Sequence, residues 1–190
     1  MTPRLEIPTE GPARDMAASI AALVPVLTTE RLTLRAPRLD DFDDFARIVC
    51  TERGCFVGGP MSREDGWYDF ANGVATWTLH GHGMWTVTET ATDQRLGFVT
   101  LGLEPGDLEI ELGYLFLESA EGQGFAREAA LAARDWGFSA LKLPTLVSYI
   151  DRDNTRSIRL VQAIGAVDDS PADWRPELVV YRHHAPEKPQ

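Results

Sequence analysis

Cysteine is scarce in this chain: Cys50 and Cys55 are the only two in 190 residues. That is too few for a disulfide framework, and they lack the spacing of a zinc site. Two free thiols in a reducing compartment are the expected state, with the cytoplasm as the expected location. Long apolar runs are missing too. The most apolar early stretch, residues 16–27, is short and interrupted by Pro25, so it suits neither a membrane span nor a signal peptide. Basic charge is not in excess, the formal net charge being -11. General attraction to nucleic acid or to anionic lipid is therefore not expected. A cationic partner such as an amine suits that field, although a merely solvated acidic surface is the plainer explanation. No internal repeat is present. His80 with His82, and His183 with His184, have no carboxylate at ligand spacing, so no metal site is expected.

With 44% hydrophobic residues, the length fits one compact domain. Residues 1–25 mix Pro, Gly, Ala and charge without sustained periodicity and read as a mobile tail or a short added helix. The domain is expected over 26–184, with 185–190 as a C-terminal tail. Residues 31–35 alternate as a half-buried strand does. Asp40 is placed to cap a helix carrying Phe42, Phe45, Ile48 and Val49 at helical spacing. Ser62 opens a second helix with Trp67, Phe70, Val74 and Trp77 as its buried stripe. Strands are expected over 84–89, 96–103 and 108–117, joined by turn residues into an antiparallel meander. A helix near 125–141, a strand at 145–150, a helix near 154–164 and final strands near 166 and 177–184 follow. The pattern is that of a mixed α/β (α+β) fold whose sheet has antiparallel N-terminal strands and a parallel pair later.

The most informative segment runs from Leu115-Phe116 through Glu121-Gly122-Gln123-Gly124-Phe125-Ala126-Arg127. Gly122 and Gly124 remove side chains at the mouth of an alanine-rich helix, so backbone N–H groups can converge on an anion such as phosphate. A lone Gly-x-Gly is more often a plain tight turn. No Gly-Lys-Ser/Thr follows, and the third glycine of a dinucleotide fingerprint is absent.

This turn, the strand before it, the opening Leu27-Thr28-Thr29-Glu30-Arg31-Leu32 and the later Asn154-Thr155-Arg156-Ser157 together resemble the GNAT superfamily of N-acetyltransferases. The branch that acetylates ribosomal-protein N-termini is the nearer likeness. The resemblance spans roughly 26–184 and implies acetyl-CoA as co-substrate, bound between splayed parallel strands. By the same resemblance the diphosphate sits on the amides of Gly122, Gln123, Gly124, Phe125, Ala126 and Arg127. Leu115 and Phe116 pair with the pantetheine arm like an added strand, and Asn154 bonds that arm. The family's turn opens on Gln or Arg where this chain has Glu121, an acid expected to point to solvent. Members that use a tyrosine seven residues after the asparagine have Val161 here. That leaves Ser157 to assist departure of the thiolate, with Tyr114 and Tyr149 as alternatives.

Glu109 and Glu111 lie two apart on an expected strand and so face one side. Glu111 precedes Gly113 and is the candidate base for the attacking amine, directly or through water. An exposed acidic strand face explains the pair equally well. The expected activity is acetyl transfer to a primary amine, on a small molecule or a peptide N-terminus, by direct attack in a ternary complex. The alternatives are a non-catalytic acyl-CoA sensor or scaffold and a binder of another phosphorylated ligand. A homodimer is expected only as a prior, and Trp174 is a candidate groove or dimer residue.

Overall fold

The computed structural model describes residues 3–171 and 175–185; Trp174 lies outside them. Eight strands form one sheet in the order β1-β2-β3-β4-β5-β6-β8-β7. They are β1 (Leu27–Thr28), β2 (Leu32–Arg35), β3 (Met84–Glu89), β4 (Arg95–Gly102), β5 (Glu111–Phe116), β6 (Val147–Asp151), β7 (Val167–Asp168) and β8 (Leu178–Arg182). Every neighbouring pair is antiparallel except β5 with β6. This is the mixed sheet that the meander and the later strand-helix-strand pattern imply.

Helices cover both faces. On one face α4 (Phe125–Ser139) lays Ala129, Ala130 and Ala133 against Trp85, Val99 and Leu101. Small side chains let the helix approach the sheet closely, and Trp77, Trp85 and Trp136 close that core edge to face. On the other face Phe98 points from β4 toward α2 (Phe42–Val49) and α3 (Arg63–His80), as strand alternation requires. There it meets Phe45 at 5.2 Å in an edge contact. Burying each of Phe42, Phe45, Phe70 and Phe98 contributes about 1.5–3 kcal/mol. The third cluster joins α5 (Thr155–Ala163) to β6 and β8 through Ile150, Val161 and Val179.

Caps explain where the helices begin and end. Ser62 Oγ accepts the Asp65 N–H at 3.0 Å, as its sequence position implies, and Gly81 ends α3 at φ 75°. Of the expected α3 stripe, Phe70 is buried and Trp67 and Trp77 are half-buried, but Val74 is exposed. Asp40 is not the cap of α2. A short 3-10 turn over Leu39–Asp41 precedes it, and Asp41 accepts the Arg38 N–H at 2.7 Å. Asp41 is buried and also takes both guanidinium nitrogens of Arg35 and the Thr86 hydroxyl. The early segment forms an exposed helix α1 (Pro12–Ala21), and the Trp85 indole bonds Pro25 O at 2.8 Å where the chain enters β1.

The fork between β5 and β6 matters most for function. Among the described residues they pair only at Glu111↔Val147, supported by the bond from Val147 N to Ile110 O at 3.1 Å. Beyond it no strand ladder continues along β5 on that side among the described residues. β5 also starts later than expected, at Glu111 rather than residue 108. The Tyr149 hydroxyl accepts the N–H groups of Leu108 and Glu109, which removes them from any ladder.

Candidate active site

The glycine turn lies at the far end of β5 from the fork. Gly122 and Gly124 adopt φ 73° and 79°, a left-handed conformation that side chains disfavour. A Cβ at Gly122 would meet nothing, so it is the backbone conformation that selects glycine there. Gly124 stands at the N-terminal boundary of α4, and no side chain caps that end. Arg31 braces the turn from outside. It pairs with Glu128 at 2.7 Å, donates to Gln123 O at 3.0 Å and stacks over Phe125 at 4.6 Å. The Gln123 side chain folds back to Ser119 O at 3.0 Å.

A cleft of about 480 Å³ runs past this turn. Tyr114, Leu115 and Phe116 of β5 line it, with Gly122, Gly124, Phe125, Ala126 and Arg127 of the turn and Asn154, Arg156 and Ser157 of α5. Of the residues expected to hold a cofactor, the fold thus gathers all but Gln123 along one cleft. The segment after α2 closes the opposite side with Arg53, Phe56 and Val57. None of these three stood out in the sequence. They reach the cleft only because α2 and α3 pack across the sheet, and no local pattern records that.

Asn154 caps α5, its Oδ1 accepting the Ser157 N–H at 3.1 Å. The Tyr114 hydroxyl lies 2.6 Å from Ser157 Oγ and 3.1 Å from Ser157 O. Burial holds the Tyr114 phenol up at about 12, so it stays a neutral hydrogen-bonding group. When Tyr114 donates to Oγ, the serine proton is left to point into the cleft. Tyr149 is instead taken up by the Leu108 and Glu109 amides.

The two strand glutamates have opposite fates. Arg182 holds Glu109 through two nitrogens, at 2.7 and 2.8 Å, and with Thr145 draws it down to about 2. The expectation that both acids share one strand face is corrected, because Glu109 precedes β5 and is locked as a carboxylate. Glu111 sits at the fork, half-buried, where its Oε1 accepts the Tyr149 N–H at 3.3 Å. Burial first, then the charges of Asp107 and Glu104, push it up to about 8. It is not among the residues lining the cleft itself. Nearby, the buried Ser148 donates to Leu112 O at 2.6 Å and meets His183 Nε2 at 3.0 Å. Burial holds His183 down at about 4. Among the described residues no group of three His, Cys, Asp or Glu side chains stands close enough to hold a metal ion.

Glu121 does not point to solvent. It lies between Arg53 and Arg156, at 2.5 Å from each. The two arginines draw its carboxyl below the ordinary glutamate value, Arg156 most strongly.

Residues 31–167 match the model of the acetyltransferase (GNAT) domain. The chain belongs to the GNAT acetyltransferase family. Acetyl transfer from acetyl-CoA is the chemistry of that family. The fold of this GNAT domain is similar to the crystal structure of an acetyltransferase from Agrobacterium tumefaciens str. C58, with 40% identity and a TM-score of 0.81, covering 85% of this chain and 95% of that one. An uncharacterised Bacillus subtilis (strain 168) protein, YkkB, is 31% identical over 107 residues, which is 54% of this chain and 61% of that protein's length. A likeness of fold alone extends to spermidine N-acetyltransferase from Vibrio cholerae, solved with CoA and spermine. That structure has a TM-score of 0.64 at 19% identity, covering 81% of this chain and 94% of the other.

Proposed function

We propose that this protein transfers an acetyl group from acetyl-CoA to a primary amine, the amine attacking the thioester directly within one ternary complex. The observation that carries the reading is the shared strand β5. A carboxyl held near 8 stands at the fork where it begins, and a glycine turn of phosphate-binding form lies where it ends. On this reading the amides of Gly122, Gly124, Phe125, Ala126 and Arg127 hold the diphosphate, with Gln123 contributing backbone only. The open edge of β5 at Leu115 and Phe116 pairs with the pantetheine arm, and Asn154 borders it. Glu111 accepts the proton from the attacking amine, directly or through a water that spans the gap between it and the cleft wall. Ser157, oriented by Tyr114, donates a hydrogen bond to the departing thiolate sulfur. The family's chemistry needs no metal at any of these steps, and the protein's own contribution is mostly positioning.

Glu104 and Asp107 beside Glu111 give the acceptor end a negative field that suits a cationic amine. A base near 8 also matches an α-amine of about 7.7–8.0 better than a lysine of about 10.4. A peptide N-terminus or a small-molecule amine of similar basicity is therefore the acceptor class. The catalytic domain occupies 26–184. A cytoplasmic setting fits the reading, and no described helix is long and apolar enough to cross a membrane.

The test is thermal and chemical. Saturating acetyl-CoA is expected to raise the unfolding temperature, by about 2.7 kcal/mol of stabilisation at a hundredfold excess over Kd. Adding peptides with a free N-terminus, or small-molecule amines of similar basicity, is expected to release free CoA. Stabilisation without CoA release across a broad amine panel would leave a sensor instead of an enzyme, and no stabilisation at all would remove the carrier.

A further inference from the structure

Position 121 is where this chain departs from its family's turn, since an acid stands beside the place for a diphosphate. An unpaired carboxylate there would oppose binding through like charge. The fold supplies two partners from distant parts of the chain. Arg53, in the short turn Glu52–Gly54 after α2, reaches Glu121 Oε1 with Nη2 and also donates from Nη2 to Phe116 O at 3.0 Å. Arg156, in the first turn of α5, reaches Oε2 with its own Nη2 at 2.5 Å. All three residues line the cleft beside Gly122, Gly124 and Arg127. Three arginines, Arg53, Arg127 and Arg156, face two glutamates, Glu52 and Glu121, along this cleft, so its lining keeps one positive charge in excess although the whole chain carries -11. A guanidinium has five N–H donors. These contacts engage one nitrogen of each arginine, Nη2, and the other guanidinium nitrogens have no protein partner among the described residues.

We propose that Arg53 and Arg156 bind the diphosphate of the acyl carrier, and that Glu121 is a positioning residue holding both over the glycine turn. The assignment rests on the reading of this cleft as an acyl-CoA site. The side chain of Arg156 is 67% exposed, so without an anchor it would sample many rotamers. Glu121 removes that freedom before the carrier arrives. Both arginines then keep donors for phosphate oxygens, to which charge-assisted bonds are strong. The contact of Arg53 with Phe116 O further ties the segment after α2 to β5 and fixes the width of the mouth.

Calorimetry with two probes tests this, acetyl-CoA and acetyl-pantetheine, which carries no phosphate. Arg53→Ala and Arg156→Ala are each expected to weaken acetyl-CoA roughly tenfold or more and to flatten the dependence of affinity on salt. Acetyl-pantetheine affinity stays unchanged in Arg156→Ala, and in Arg53→Ala, which also frees Phe116 O, it changes less than that of acetyl-CoA; the retained binding also shows the variants are folded. Glu121→Gln is expected to weaken acetyl-CoA severalfold in the otherwise native chain. In the Arg53→Ala/Arg156→Ala background the same change is expected to tighten it, because only like-charge repulsion is then removed. Unchanged acetyl-CoA affinity in the arginine variants, or tighter binding by Glu121→Gln alone, would overturn the assignment. Wild-type protein that binds neither probe would overturn the parent reading, and this assignment with it.

Discussion

Glu111→Gln will lower kcat by about two to four orders of magnitude, the range of general acid–base catalysis, while acetyl-CoA affinity stays nearly intact. The amine must lose a proton as it bonds to the acyl carbon, and glutamine has no means to take it. Because burial and the charges of Asp107 and Glu104 hold Glu111 at about 8, wild-type kcat/KM should climb through that pH and level off above it. The glutamine variant should lack that inflection. The same substitution will move stability in the opposite direction. A carboxyl whose folded-state value is raised contributes stability that is complete below its ordinary 4.5 and is lost as pH rises through about 8. Glutamine never ionises, so above pH 8 the variant should be the more stable protein, by an amount on the order of a few kcal/mol. Rate profiles and thermal unfolding at pH 6 and pH 9 check both halves. Unchanged turnover would remove Glu111 from the role of base.

The largest expected loss of stability lies elsewhere. Asp41→Asn should cost about 3–5 kcal/mol, the usual cost of breaking a buried ion pair from one side. Asp41 is fully buried and accepts from Arg35 at 2.8 and 2.9 Å, from Arg38 N and from Thr86. Burial alone would push its carboxyl up. The hydrogen bonds from Arg35 and Arg38 and the Arg35 charge outweigh that and hold it below the ordinary 3.8. The amide of asparagine would turn N–H donors toward a guanidinium that needs acceptors. Since the folded-state value is depressed, this stability is present above 3.8 and drains away as pH falls through the lower folded value. The gap between wild type and variant, measured by urea unfolding, should therefore be widest near neutrality and narrow in acid. A neutral-pH loss under 1 kcal/mol would contradict the account.

Local pattern carried much of the fold. The alternation of residues 31–35, the Ser62 cap and the alanine-rich run after Gly124 each depend on neighbours within a few positions, and each element stands close to where the sequence puts it. Glu109 and Glu111 show where such reasoning ends. Their spacing implies one face, but β5 begins only at Glu111, and Arg182, 73 residues away, claims Glu109. Glu121 fails in the same way. Its partners Arg53 and Arg156 are brought to it by the packing of α2 and α5, so an acid that looks solvated in one dimension is clasped in three. Asp41 was hidden behind Asp40 for a related reason: the four acids Asp40, Asp41, Asp43 and Asp44 offer equal capping chemistry, and only the position of Arg35 and Thr86 on the sheet selects one.

The central claim is that backbone N–H groups at the start of α4 grip the diphosphate of an acyl carrier whose arm lies along β5. Amide resonances followed by NMR during titration with acetyl-CoA report on it residue by residue. The account predicts the largest shifts at residues 122–127, with a second set at Leu115 and Phe116. Shifts confined to another face, or saturable binding that leaves 122–127 unmoved, would contradict it.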